Sequence, residues 1–104
     1  MIRRDHPEFV AEREFILLTS EGTATRCFIR IGKPYPELDG QCWACPVLLD
    51  GIDARPANMR GIDSLQAFSL ALSFAKARLD DHASRGSHFQ WPDGKPASLE
   101  SLLS

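Results

Sequence analysis

Two cysteines separated by two residues, Cys42 and Cys45, form the motif in this sequence with the clearest chemical use. Such a pair exchanges electrons when one thiolate is stabilised at a helix N-terminus and the second thiol can reach it. Here the flanking residues predict a β-strand, which turns side chains three positions apart to opposite faces, and no helix follows. We therefore interpret both as buried structural cysteines. A thiol-dependent redox or small-ligand-binding protein is the alternative hypothesis for the chain.

Residues that could bind a metal are few. A structural zinc site needs about four ligands, commonly from two such pairs, and Cys27 is the only other cysteine. Among the histidines, His6 lies near the N-terminus, whereas His82 and His88 flank the predicted end of a helix. Asp81 could join these two at a metal, but a solvated helix end explains the same residues. We predict no metal and no cofactor.

Arg55 and Arg60 flank the segment that leads into the predicted helix. Two guanidinium groups beside the free N–H groups of a helix N-terminus can hold a phosphate or a carboxylate. Asp63, however, is placed to cap that helix and already supplies an anion there. We keep the two arginines as a candidate anion site and prefer the capped helix end. The sequence contains no nucleophile-elbow, zinc-protease, P-loop or dinucleotide motif, which favours a non-catalytic protein.

One long helix, predicted over residues 63–85, must position many of these side chains, because this is the longest segment without Gly or Pro. Asp63 is a suitable N-cap, Gln66 stands where a capping box places Glu or Gln, and Gly86 follows where a left-handed residue ends a helix. The predicted sheet-facing side carries apolar residues at steps of three and four, namely Leu65, Phe68, Leu72, Ala75 and Leu79.

Leu70 and Phe74 form a second apolar patch on the helix, beyond the arc that packing on one sheet requires. Two alternatives can cover it. The C-terminal segment can fold back through its own apolar residues, Trp91, Leu99, Leu102 and Leu103. A second copy of the chain can instead cover the patch, which would make Leu70 and Phe74 the interface of a two-fold homodimer. Both arrangements can hold together.

Three strands are predicted before the helix and one short strand after it, over residues 13–20, 25–31, 41–49 and 87–91. Two prolines within residues 32–40 predict a loop there. Pro46 lies inside the third strand and indicates an edge position or a bulge. The predicted fold class is α+β, with an antiparallel sheet of three to four strands packed by one long helix in the C-terminal half, in the order β-β-β-α.

The length of 104 residues predicts one domain, with a loose arm over residues 1–12, a core over 13–91 and a C-terminal segment over 92–104. The formal net charge of −2 gives no electrostatic reason to expect nucleic acid. No run approaches the roughly 20 apolar residues of a membrane helix, and no apolar stretch typical of a signal peptide opens the chain. Three cysteines without an export signal favour a reducing compartment, so we predict a cytoplasmic protein.

Two stretches taken together resemble a known kind of protein. One is Trp43-x-Cys45 with an apolar run that ends at Gly51, and the other is residues 60–67, Arg-Gly-Ile-Asp-Ser-Leu-Gln-Ala, which open the helix. The pairing resembles small bacterial single-domain proteins classed only as domains of unknown function, which share an antiparallel sheet followed by a Gly-x-Asp-x-Leu-Gln-Ala helix. Similar helix openings occur in immunity-type proteins encoded beside bacterial toxins. The resemblance implies the fold and a bacterial origin, and it implies no catalytic residue.

We therefore predict a small, non-catalytic protein-binding or interaction module of the immunity or regulatory type. Its partner is expected to be another protein or a second copy of the chain, with no nucleic acid and no membrane. The alternative based on Cys42 and Cys45 predicts different thiol behaviour. Reactive thiols would combine with a thiol reagent in the native protein, whereas buried structural thiols would react only after unfolding.

Overall fold

The computed structural model describes residues 8–104, in which seven antiparallel strands form one sheet and a long helix packs on one face of it. The strands are β1 (Phe9–Leu18), β2 (Ala24–Gly32), β3 (Tyr35–Glu37), β4 (Cys42–Asp50), β5 (Ala57–Gly61), β6 (His88–Gln90) and β7 (Pro96–Ala97). The helices are α1 (Ser64–Ser84) and α2 (Leu99–Leu102), and a 3-10 turn spans Leu38–Gly40. Residues 1–7 of the arm expected over residues 1–12, including His6, lie outside the described residues.

The α+β class is confirmed, but the expected number of three to four strands is wrong. The sheet order is β3-β4-β2-β1-β6-β7, and β5 pairs with β4 as well. The additional strands are β3, β5 and β7, and none has more than five residues. Segments this short do not carry enough alternation of apolar and polar residues to be distinguished from loops. The first strand is also longer than expected, since it begins at Phe9.

Strands β2 and β3 pair with the same edge of β4, one after the other. Strand β2 pairs with residues 47–50 of β4, and β3 pairs with residues 42–44. The chain therefore continues the sheet beyond Gly32, and the loop expected over residues 32–40 is wrong for Tyr35–Glu37. A proline inside a three-residue strand is tolerated where its missing N–H faces away from the neighbouring strand.

Pro46 lies where the pairing of β4 changes from β2 to β3. The register moves by one residue between the pairs Ile31–Val47 and Tyr35–Ala44. A Cβ atom on Gly32 would come within 2.7 Å of the Pro46 ring. Only glycine, which has no Cβ atom, therefore fits at position 32. Strand β4 has neighbours on both edges, so the expected edge position is wrong, and the register break agrees with the bulge that was the alternative.

The core lies between α1 and the sheet face that we call the inner face. On the helix it consists of a stripe of small residues at four-residue spacing, Ala67, Ala71 and Ala75, which continues to Leu79. The sheet contributes the buried side chains Phe15, Leu17, Cys27, Ile29, Ile31, Cys45, Val47, Leu49 and Phe89. Because alanine lets the helix backbone approach the strands closely, the larger residues lie at the sides of the contact. The expected inward position of Leu65 is wrong, since this residue is 72% exposed.

Both predicted ends of the helix are confirmed. The Asp63 carboxylate accepts a hydrogen bond from the Gln66 N–H at 2.8 Å, and the Gln66 side chain accepts one from the Ile62 N–H at 2.7 Å. At the C-terminus Gly86 has a φ of 94°. Its N–H donates to Ala83, and the next N–H donates to His82, which is the Schellman arrangement.

The C-terminal segment folds back onto the inner face beside α1. Leu102 is buried, and Trp91, Leu99 and Leu103 pack partly buried against the core. From β1, the Arg13 Nη1 atom donates hydrogen bonds to three C-terminal carbonyl groups, those of Ser101 (2.7 Å), Leu102 (3.3 Å) and Ser104 (3.0 Å). The Arg13 guanidinium also lies 5.7 Å from the centre of the Trp91 ring. One arginine therefore attaches the last turn of the chain to the sheet.

Helix α1 has one flank that α2 covers and one that it does not. Leu72 borders a surface groove together with Leu102 and Leu103, and Ala83 borders another together with Leu99. Leu70 and Phe74 lie on the opposite flank, about 160 to 200° around the helix from Leu72. The expected folding back of the C-terminal segment is thus observed, but the segment covers the other flank and not the Leu70 and Phe74 patch.

Within residues 8–104, neither helix combines the length and the apolar character that a membrane crossing requires.

Candidate functional site

The two cysteines of the C-x-x-C motif lie on opposite faces of β4. Cys45 is fully buried on the inner face opposite Met59, whereas Cys42 is half-buried on the outer face opposite Glu37. Burial raises the pKa of the Cys45 thiol to about 11. The structural interpretation therefore fits Cys45, while Cys42 is more accessible than expected. This geometry gives no support to a redox pair, because a β-strand keeps the two sulfur atoms apart.

Cys27 is a third free thiol and is also fully buried. Burial raises its pKa to about 11, and the nearby Asp50 carboxylate adds to the effect while a backbone hydrogen bond from Leu17 opposes it. A thiol with such a pKa is almost entirely protonated near neutral pH, and the protonated form is a poor nucleophile and metal ligand. The buried thiols of this chain therefore act as small apolar core residues.

The candidate anion site is not assembled. Arg60 lies near the helix N-terminus, but its Nε atom forms an ion pair with Glu37 at 2.9 Å, on the far side of β4. Arg55 is exposed and precedes the opposite end of β5. At about 3.3 Å per residue, the five-residue strand separates it from the helix N-terminus by roughly 16 Å. Asp63 occupies the N-cap of α1. The structure thus separates the two arginines and supplies the helix end with its own carboxylate.

The histidines also remain separate from other ligands. His82 lies in the last turn of α1, His88 begins β6, and Asp81 forms an ion pair with Arg85. Among the residues that the structure describes, no three His, Cys, Asp or Glu side chains come close enough to hold a metal ion.

Two open grooves border the C-terminal segment. The larger has a volume of about 450 Å³ and the smaller about 260 Å³. The larger lies between the end of α1 and strands β6 and β7, and its titratable lining residues are Asp80 and His88. The smaller is lined largely by aliphatic side chains of β1, β2 and α2. Ser87 also lines the larger groove, and within residues 8–104 no hydrogen bond joins it to His88 or Asp80.

The outer face of the sheet, opposite the helices, carries charges that are neutralised across the strands. Arg30 pairs with Glu12 at 3.1 Å and with Asp50 at 2.9 Å, and Arg26 pairs with Glu14. The guanidinium groups of Arg26 and Arg30 lie 5.2 and 4.6 Å from the centre of the Phe28 ring between them. Cross-strand ion pairs and covered aromatic surface are typical of a solvated sheet face. This explains why no helix is needed on that side.

The most exposed large apolar side chains lie at one end of the molecule. They are Leu38, Ile62 and Leu65, which are 72%, 75% and 72% exposed, and we call them the apolar end. Strand pairing brings them to the same end, because β3 finishes opposite the start of β4, and so does β5. The ion pair between Glu37 and Arg60 ties these two strands together beside it.

Sequence reasoning missed the apolar end. It placed Leu65 in the core and Leu38 in a loop. Leu38 and Asp39 both have positive φ, 52° and 57°, a conformation that residues other than glycine seldom adopt. Nothing in the periodicity indicates this turn, although Gly40 and the preceding prolines do indicate a change of direction.

A second open surface lies along strand β5 and the adjacent flank of α1. Among the described residues, β5 pairs with β4 and with no other strand, so one of its edges is open. Beside it, Leu70 is 40% exposed and Phe74 is half-buried against the core. We call Leu70, Phe74 and the exposed Ala77 the open flank of α1. The candidate interface residues of the sequence analysis both belong to it.

Comparison with protein-family models shows that the chain belongs to the DUF6968 family, a domain of unknown function, with residues 11–100 matched. The match takes in the long helix and nearly all of the sheet. Comparisons with curated proteins and with solved structures find no match. The expected resemblance to domains of unknown function is therefore supported at the level of the family.

Proposed function

We propose that this domain is a non-catalytic protein-binding module and that the apolar end is its binding surface. The observation that carries the proposal is the exposure of Leu38, Ile62 and Leu65 at one end of the molecule. Single exposed apolar residues are common on soluble proteins, whereas several large apolar side chains exposed at one end of a molecule are a feature of interaction sites. The immunity or regulatory type expected from the sequence belongs to this class of function.

The backbone beneath the apolar end is held in place before any partner binds. A Cβ atom on Gly61 would lie 2.7 Å from the Ala67 N atom, so β5 touches the first turn of α1 directly. Asp63 and Gln66 then fix the connection through their hydrogen bonds. Leu38 stands in a left-handed turn, a conformation that costs free energy and is found preferentially at functional positions. A fixed surface loses less conformational entropy on binding.

Charge at the border of the apolar end indicates the chemistry of the partner. Asp39 and Asp63 flank the three apolar side chains, and neither forms an ion pair with another described residue. Arg60, which lies beside the apolar end, is paired with Glu37. The complementary surface is an apolar patch with Lys or Arg at its rim, since opposite charges at a rim steer association. An interaction of this kind needs no cofactor from the domain.

Photo-crosslinking in the cells that produce the protein tests this proposal. A photoreactive phenylalanine analogue replaces Leu65 in one variant and Lys76 in a control. Lys76 is also exposed and on α1, but it lies about 16 Å further along the helix. We expect one discrete adduct from position 65 and none from position 76. The absence of an adduct at position 65, or equal adducts at both positions, would contradict the proposal.

Binding measurements then follow with the partner that the adduct identifies. The double substitution Ile62→Ser and Leu65→Ser should weaken its affinity by about 30-fold, because truncation of central apolar contacts costs about 2 kcal/mol. The unfolding midpoint should stay nearly constant, since both side chains are exposed. Lys76→Ser serves as the control and should leave the affinity unchanged. An unchanged affinity in the double variant would place the binding surface elsewhere.

A further inference from the structure

We infer that two copies of this domain associate through antiparallel pairing of their β5 strands, with the open flanks of their α1 helices in contact. This interface is separate from the apolar end, so it goes beyond the proposed function and is tested independently of it. The occupant of the open edge is thus a second copy of the same chain. The inference rests on the backbone of β5, its register and the side chains beside it.

The backbone of β5 presents unpaired donors and acceptors on its outer side. In the pairing with β4, Asn58 lies opposite Pro46, which has no N–H to donate. That pair therefore fits a non-hydrogen-bonded position of the antiparallel ladder. Since the two kinds of position alternate, Asn58 and Arg60 turn their N–H and C=O groups away from β4. These groups are available to a strand added at this edge.

One register pairs the outward-facing backbone N–H and C=O groups of both copies. If a two-fold axis passes beside Met59, Asn58 of each copy lies opposite Arg60 of the other, and both residues offer outward-facing backbone groups. This arrangement forms two hydrogen-bonded pairs, which contain four backbone hydrogen bonds. It places no like charges directly opposite one another, because an amide side chain faces each guanidinium group. An isologous contact of this kind closes on itself and leaves neither β5 strand with an open edge.

The same axis brings the helix layers together. Helix α1 packs on β5, and Met59 points to the inner face opposite Cys45. A two-fold axis perpendicular to the sheet therefore places the open flank of one α1 against that of the other. Leu70, Phe74 and Ala77 form this flank, and their neighbours Gln66 and Ser73 are also uncharged. A foreign strand would satisfy the edge alone, whereas a second copy satisfies the edge and covers Leu70.

The size of the interface sets the expected affinity. Five strand residues and a few helical side chains contribute less than the roughly 800 Å² per partner of a standard stable interface. We therefore expect a reversible dimer with a dissociation constant in the micromolar range, not an obligate one.

Sedimentation equilibrium over a micromolar concentration series tests the inference with two matched variants. The mass of the native protein should rise from 11.6 kDa toward twice that value as the concentration increases. Leu70→Glu should stay monomeric with an unchanged circular dichroism spectrum. Leu65→Glu, on the same helix but away from the open flank, should dimerise like the native protein. A monomeric native protein throughout the series, or a dimer that Leu65→Glu abolishes and Leu70→Glu preserves, would overturn the inference.

Disulfide trapping tests the register. In a background that carries Cys42→Ser and Cys45→Ala, Met59→Cys should form a covalent dimer on mild oxidation, because residues in a non-hydrogen-bonded pair have Cα atoms about 4.5 Å apart. Cys45 is replaced because it lies opposite residue 59 in the same chain and would compete for the new thiol. Ala57→Cys should not, since residue 57 would face Gly61 of the second copy. A covalent dimer from Ala57→Cys but not from Met59→Cys would exclude this pairing. Since neither position belongs to the apolar end, failure here leaves the photo-crosslinking result at Leu65 unaffected.

Discussion

The two flanks of α1 carry similar apolar residues, but the rest of the chain covers one flank and leaves the other exposed. On one flank, Leu72 lies beside Leu102 and Leu103 of the C-terminal segment. On the other flank, Leu70 remains 40% exposed beside the open edge of β5. The helix is therefore apolar on three sides, but the sheet and the C-terminal segment cover only two. This difference indicates that the first flank contributes to folding and that the second is available for association.

The largest effect is expected on the covered flank. Leu102→Ala should lower the free energy of unfolding by about 2 to 4 kcal/mol, because it removes a buried side chain and leaves a cavity under α2. Urea denaturation of the native and variant proteins measures this difference. Leu70→Ala, at the open flank, is the matched control and should cost well under 1 kcal/mol at concentrations where the protein is monomeric. Equal costs for the two substitutions would remove the distinction between the flanks.

The same contrast between covered and accessible positions applies to the thiols. Cys27 and Cys45 have pKa values raised from 9.0 to about 11 by burial. A raised pKa means that the folded state binds the proton more tightly than the unfolded state, so this stabilisation is complete below pH 9 and is lost between about pH 9 and 11. The loss should be on the order of 2 kcal/mol for each buried thiol.

Thermal unfolding of the native protein and Cys45→Ala at a series of alkaline pH values measures this loss. The variant should show a shallower decline, because one of the two buried thiols is missing. A thiol reagent added to the folded protein provides a second measurement. Cys42 should react first, and Cys27 and Cys45 only on unfolding. Fast reaction of Cys45 in the native state would revive the redox alternative and contradict the structural interpretation.

A smaller effect is expected where the sheet holds the C-terminal segment. Arg13→Ala should reduce stability by about 1 to 2 kcal/mol, because it removes donors from three carbonyl groups at the end of α2. Hydrogen exchange in the Arg13→Ala variant should be faster than in the native protein for α2, and unchanged for α1. Arg26→Ala is a suitable control, since that arginine lies on the exposed outer face in a surface ion pair worth little. If the two variants behave alike, the arginine contacts do not hold the segment.

Much of the fold follows from local signals in the sequence. Asp63, Gln66 and Gly86 predict both ends of α1, because capping depends on residues a few positions apart. Pro46 indicates an irregularity in β4, although only the pairing with β2 and β3 shows that the strand is central. The extra strands and the alanine stripe of α1 depend on contacts between distant segments, which one sequence does not reveal.

The candidate surfaces were harder to predict for the same reason. Leu70 and Phe74 were found because their spacing exceeds what one sheet needs, and this is a local property. Leu38, Ile62 and Leu65 come together only through the pairing of β3, β4 and β5. Helical spacing alone therefore predicts Leu65 in the core, where a large apolar residue at such a position is usually found.

The smallest effect on stability is expected at the open flank, and comparison with a substitution on the covered flank tests whether Leu70 belongs to the core. Leu70→Ser should change the free energy of unfolding of the monomer by less than about 0.5 kcal/mol, because the side chain keeps much of its contact with water. Leu72→Ser, two positions further on the covered flank, should cost several times more, since that residue packs against the core. Urea denaturation at low protein concentration measures both. If Leu70→Ser proved as costly as Leu72→Ser, Leu70 would belong to the core, and the second copy would have no apolar surface to cover.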